Sequence, residues 1–124
     1  AAKIASHLST HSDINKLLYP ELISHPQHEL AMQQMKRGGT VIAFELDGGK
    51  ERTFRFLNNL NIIDISNNLG DAKSLICHPA TTTHQRLSDE DKAKVGITPG
   101  FIRLSVGLES VDDLIKDLDT ALST

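Results

Sequence analysis

Two segments of the chain alternate their side chains with period two, and they constrain the fold more than any other feature. In TVIAFEL, residues 40–46, Ile42, Phe44 and Leu46 fall on one face and Val41, Ala43 and Glu45 on the other. In FIRLSV, residues 101–106, Ile102, Leu104 and Val106 oppose Phe101, Arg103 and Ser105. Successive strand residues point to opposite sides of a sheet, so each segment reads as a strand with one face against a core. Residues 109–123, ESVDDLIKDLDTALS, supply the other layer: Val111, Leu114, Ile115, Leu118 and Leu122 form one apolar helical stripe. Ser110 as N-cap and Asp113 three places on make a capping box for that helix.

The rest of the chain mixes helices and strands without the regular rhythm of a parallel βαβ sheet. AAKIASHLSTH opens with Ile4 and Leu8 at helical spacing and no initiator Met, as though a helix were entered midway, so the chain reads as part of something longer. INKLLYP is a short strand closed by Pro20. SHPQHELAMQQMKRGG is a helix with Ser24 as N-cap, Pro26 in its first turn, Gln27 completing a capping box, and Gly38 and Gly39 as its stop. Gly48 and Gly49 turn the chain after TVIAFEL, KERTFRFLNNL is a short helix, NIIDIS a strand, and SDEDKAK a helical turn capped by Ser88 and stopped by Gly96. The expectation is α+β: a mainly antiparallel sheet covered on one face by helices, in one domain spanning residues 1–124.

Composition narrows the function classes. Thirteen basic and sixteen acidic residues give a formal charge of −3, without the basic excess that nucleic acid or an anionic membrane surface recruits. No apolar run approaches the roughly 18 residues of a membrane span. The single cysteine, Cys77, cannot form an intramolecular disulfide, which fits a reducing, cytoplasmic setting.

Few residues carry a chemical signal on spacing alone. His7 and His11 stand four apart, as two metal ligands on a helix could, but without a third ligand they read as a solvated helix face. HPATTTH, residues 78–84, reads as a turn whose hydroxyls bond its own backbone, Cys77 as a small buried apolar residue rather than a nucleophile, and NNLGD, residues 67–71, as a tight loop. No metal site is expected. Arg103 is the exception to a pattern of packing residues: it points off the apolar face, and by spacing alone it is a solvated or salt-bridged strand residue.

Taken in order, HPQHELAMQQMKRGGTVIAFEL, NNLGDAKSLICHPATTTH and GFIRLSVGLESVDDLIKDLDTAL resemble the C-terminal domain of the pyridoxal-phosphate enzymes of cysteine and methionine metabolism. That group includes the cystathionine synthases and lyases, methionine γ-lyase and the homoserine-ester sulfhydrylases. Within it the loop SNNLGDAKSL is most like that of the O-succinylhomoserine sulfhydrylases, with Asn68 where many relatives carry the serine of a Ser-Leu-Gly triplet. The resemblance implies the small C-terminal domain of a fold-type I enzyme, with a cofactor-binding domain of the same chain upstream of residue 1 and a homotetrameric whole. It implies transfer at the γ-carbon of an activated homoserine, in which a sulfur nucleophile replaces an acyl group to give homocysteine, or the related synthase or lyase reactions. Arg103 matches the arginine of the family's RLSVG motif, which grips the α-carboxylate of an amino-acid substrate, with Asn68 and Ser105 beside it. A planar guanidinium suits that task because it presents parallel donors to a carboxylate. No lysine here stands in the family's cofactor-binding context, so no catalytic or cofactor-binding residue is expected in this chain, and alone it should be inactive. Two rivals remain at this stage: a stand-alone carboxylate-binding module, and an interaction domain in which Arg103 only pairs with a neighbour.

Overall fold

A computed structural model describes all 124 residues. The elements run α1 (Ala2–Leu8), β1 (Ile14–Leu18), α2 (His28–Gln34), β2 (Val41–Leu46), α3 (Gly49–Asn58), β3 (Asp64–Ile65), β4 (Leu75–Cys77), a 3-10 turn (Pro79–Thr81), α4 (Asp89–Lys94), β5 (Phe101–Ser105) and α5 (Val111–Leu122). The strands form one five-stranded sheet in the order β1-β2-β5-β4-β3, antiparallel throughout except between β3 and β4. The α+β expectation therefore holds.

Both alternating segments behave as their period requires. Ile42, Phe44 and Leu46 of β2 and Ile102 and Leu104 of β5 are buried in one cluster with Ile4 and Leu8 of α1, Phe56 and Leu57 of α3, and Leu114, Leu118 and Leu122 of α5. The Phe44 and Phe56 rings meet edge to face at 6.1 Å and 80°, a favoured aromatic arrangement that ties α3 to β2. Burial of this apolar surface is the main stabilising term. Because β5 is paired on both sides, Arg103 lies opposite Ala43 in β2 and Cys77 in β4, and its Cα is held rigidly by two ladders.

Several boundaries differ from the sequence reading. Helix α2 begins at His28, not after Ser24: Gln27 is its N-cap and no side chain caps it. Local bonds compete for the preceding turns, since the His25 Nδ1 accepts the Gln27 N–H at 3.0 Å and His28 Nδ1 meets the Pro20 carbonyl at 2.9 Å. The helix also ends before its glycines, because Met35 is already extended. Gly38 serves close approach instead: a Cβ there would lie 2.8 Å from the Tyr19 ring and 2.9 Å from the Glu21 nitrogen.

NIIDIS is a strand only at Asp64–Ile65. The amides just before it are taken by the buried Asp117 of α5, which accepts from Asn61, Ile62 and Ile63 at 2.8, 3.0 and 3.1 Å. Strand β4 was not expected, because its three residues are all buried and carry no alternation. Ser110 does stand at the N-cap of α5 but makes no side-chain cap bond, so the apolar stripe carries that helix. Ser88 caps α4 as expected, its hydroxyl accepting from Asp91 N–H at 3.1 Å. No helix is long and apolar enough to cross a membrane.

Candidate functional site

On the sheet face away from the main core, Arg103 is half-buried where β5 passes under the loop of residues 67–74. Its Nη2 donates to the Asn67 carbonyl at 2.7 Å and more distantly to the Asn68 carbonyl at 3.4 Å. Neither Nη1 nor Nε donates within the chain, and no carboxylate of the chain lies within salt-bridging distance of Arg103. One nitrogen is anchored on neutral carbonyls, which orient the charge without neutralising it. The rest of the fork makes no bond within the chain and keeps its donors in a fixed plane.

The structure brings the three residues singled out from the sequence to one place, in different positions. Asn68 is exposed at the rim; its carbonyl faces Arg103, its N–H donates to Ser66 Oγ at 3.2 Å, and its side-chain amide makes no bond within the chain. Ser105 is fully buried, and its hydroxyl accepts the Gly70 N–H at 2.9 Å, so it holds the loop from beneath. Gly70 has φ of 75°, a left-handed conformation that favours glycine and lets its amide turn down toward that hydroxyl.

Cys77, beside Arg103 in the sheet, is buried; desolvation pushes its thiol up, outweighing the downward pull of the Arg103 charge and of its hydrogen bond with Thr82. It is a packing residue with little thiolate. HPATTTH is a self-bonded turn as expected, with Thr82 Oγ1 donating to the His78 carbonyl at 2.7 Å. His78 does more than that reading allowed: it is buried, its Nε2 donates to the Pro99 carbonyl at 2.6 Å and its Nδ1 meets Thr81 Oγ1 at 2.8 Å, fastening the turn to the approach to β5. His7 and His11 share no helix face, because α1 ends at Leu8; His7 Nε2 bonds Asp119 of α5 at 2.6 Å and His11 Nδ1 accepts the Asp13 N–H at 3.3 Å.

Sequence reasoning missed Ser74 and Glu109. The Glu109 carboxylate accepts the Ser74 N–H and the Ser74 hydroxyl, each at 2.8 Å, across the far end of the same loop. Neither residue belongs to a recognisable spacing, and their pairing across 35 positions is set by the fold alone.

The site of this α+β chain is thus an arginine fixed in a central strand, oriented by a loop and unbonded over part of its fork. The profile of the family described as Cys/Met metabolism PLP-dependent enzyme matches residues 1–123, and the chain belongs to that family. It is 52% identical over 127 residues to the O-succinylhomoserine sulfhydrylase of Mycobacterium tuberculosis (strain ATCC 25618 / H37Rv), an overlap of 99% of this chain and 31% of that protein. To the L-methionine gamma-lyase of Fusobacterium nucleatum subsp. polymorphum it is 46% identical over 122 residues, 98% of this chain and 31% of the relative. Among solved structures, the cystathione gamma lyase of Micromonospora echinospora superposes on the whole chain and 32% of its own, with a TM-score of 0.94 and 35% identity. The chain thus spans less than a third of the length of the relatives it matches.

Pyridoxal phosphate needs an amine to bind its aldehyde, donors around its phosphate and an acid beside its ring nitrogen. The lysines here are exposed except Lys92, which is half-buried; Lys50 and Lys92 line an open cleft with Asp89, Thr81 and Thr98.

Proposed function

We propose that residues 1–124 are the C-terminal, substrate-carboxylate-binding domain of a pyridoxal-phosphate-dependent enzyme of sulfur amino-acid metabolism. The cofactor is then held mainly by an N-terminal domain of the same polypeptide, in a cytoplasmic homotetramer. The reaction we favour is formation of homocysteine from an O-acylhomoserine and sulfide in methionine biosynthesis, with the cystathionine γ-synthase and methionine γ-lyase reactions as relatives of the same chemistry. The observation that carries this reading is Arg103, with one nitrogen seated on the Asn67 carbonyl and the others unclaimed.

The domain's part is to bind and orient. A carboxylate meeting the open N–H groups of Arg103 gains charge-assisted hydrogen bonds, about twice as strong as neutral ones. Fixing that end of an amino acid removes most of its rotational freedom and so presents its other groups in one orientation. Asn68 at the rim offers an amide within the same neighbourhood, and Ser105 ties the loop to β5 at Gly70. Within this chain no residue is assigned a covalent or proton-transfer role.

The test is substitution of Arg103 in the complete enzyme. Arg103→Lys keeps the charge but loses the paired donors, and Arg103→Ala loses both, so activity falls in the order wild type, Lys, Ala. A charge-assisted contact is worth about 1.5 to 3 kcal/mol, which places the Ala variant roughly ten- to a hundredfold lower in kcat/KM for its homoserine ester. A folded, cofactor-loaded Arg103→Ala enzyme with near-normal kcat/KM would make Arg103 a structural arginine and overturn the reading.

A further inference from the structure

Arg103 is held at its two ends by different things. Its backbone is locked by β2 and β4, but its guanidinium is located only by the carbonyls of Asn67 and Asn68, and these belong to a loop with no ladder of its own. Whatever fixes that loop fixes the fork.

The loop is tied to the segment that follows Arg103 at successive points. Gly70 N–H bonds Ser105 Oγ, the Ala72 carbonyl accepts the Leu108 N–H at 2.8 Å, and Ser74 Oγ accepts the Gly107 N–H at 2.8 Å. Glu109 closes the far end, with both of its oxygens on Ser74. All donors and acceptors of Ser74 at this junction are satisfied: its hydroxyl gives to the carboxylate and takes from Gly107. The two segments lie so close at Gly107 that a Cβ there would overlap the Ala72 carbonyl and come within 2.6 Å of Glu109 Oε1.

We propose that Glu109, acting through Ser74, is the positioning residue of the carboxylate clamp: it sets the height of loop 67–74 and thereby the place of the Arg103 fork. The inference rests on the reading of Arg103 as that clamp. Glu109 is suited to the work because an ionised carboxylate accepts both bonds at once. Partial burial pushes its carboxyl up, but the Ser74 N–H, its own N–H, the Ser74 hydroxyl and the Lys73 charge together outweigh that and hold it below the usual range, so it stays ionised at neutral pH. A misplacement of about 1 Å in a binding group is enough to cost much of its effect.

The experiment compares the complete enzyme with its Glu109→Ala, Glu109→Gln, Ser74→Ala and Arg103→Ala variants on O-succinyl-L-homoserine and on the same molecule with its α-carboxylate replaced by a carboxamide. The readout is the ratio of kcat/KM, acid over amide. Glu109→Ala should lower that ratio about tenfold, chiefly through KM for the acid, the scale of one weakened charge-assisted contact. Glu109→Gln, which keeps an acceptor oxygen, should lower it less, and Ser74→Ala should fall between; these two decide the matter if Glu109→Ala does not fold. Arg103→Ala should abolish the discrimination. Folded Glu109 and Ser74 variants that keep the wild-type ratio, or lose both substrates equally, while Arg103→Ala collapses it, would overturn the positioning role and leave the clamp standing. An unchanged ratio in Arg103→Ala would instead overturn the clamp reading and this proposal with it.

Discussion

At the scale of single residues, Asp117 shows how much one polar group can organise. It is 5% exposed on a helix whose neighbours are core leucines, and its two oxygens gather the amides of three consecutive residues, 61–63. A buried carboxylate is tolerable because those donors replace its water. Asp117→Asn turns one acceptor into a donor facing donors, and Asp117→Ala removes both acceptors and leaves the Ile63 amide without a partner. Either change should destabilise the chain by about 2 to 4 kcal/mol, since hydrogen bonds to charged groups and stranded buried donors each contribute on that order. Urea denaturation of the purified chain checks this; an unmoved midpoint in both variants would show that the amides find other partners. The sequence conceals this role, because Asp117 falls among Asp112, Asp113, Lys116 and Asp119 and reads as one more polar position on the outer face. The position of Arg103 was legible for the opposite reason, because alternation placed it off the core face; the RLSVG resemblance supplied only the role proposed for it. That Ser105, two residues on, is sealed beneath Gly70 was beyond either signal.

At the scale of elements, periodicity was readable where an element has one buried face and silent where it has two or none. Strands β2 and β5 and helix α5 each divide cleanly into core and outer sides, and each formed where the pattern placed it. Strand β4 is buried on both sides and so short that its pattern is indistinguishable from any apolar run, and α2 is set by histidine-to-backbone bonds that no propensity scale describes. Helix α5 also binds the layers together, touching both α1 and α3. Leu118 lies at its centre and is fully buried. Leu118→Asp would place a lone charge in that core at a cost of several kcal/mol, against a total stability of about 5 to 15 kcal/mol. The variant should be unfolded at room temperature by circular dichroism, while Leu118→Met, close in volume, should melt within a few degrees of the wild type. A cooperative, unshifted melt for Leu118→Asp would mean that α5 does not pack as the structure places it.

At the scale of the whole molecule, the placement of charge separates what this chain can hold from what it can only help to hold. Arg103 is fixed by the sheet and seated by a loop, with its Nη1 and Nε bonded to nothing within the chain. Its lysine amines lie at or near the surface. Lys73 is spent on Asp64 and the Ile62 carbonyl, Lys94 on Glu90 and Asp91, and Lys50 lies 5.3 Å over the Phe54 ring, all at the surface. A surface ammonium is strongly hydrated, whereas a lysine that holds a carbonyl cofactor is sheltered from water. Residues 1–124 mixed with pyridoxal phosphate should therefore give only weak adducts, spread over several lysines and lost on dialysis. Borohydride reduction followed by peptide mass spectrometry, with the visible absorbance before and after dialysis, distinguishes the outcomes. One equivalent retained on a single lysine, and abolished by replacing that lysine with Arg, would mean that this domain contains a cofactor site of its own and that the division of labour proposed between it and the rest of the enzyme is wrong.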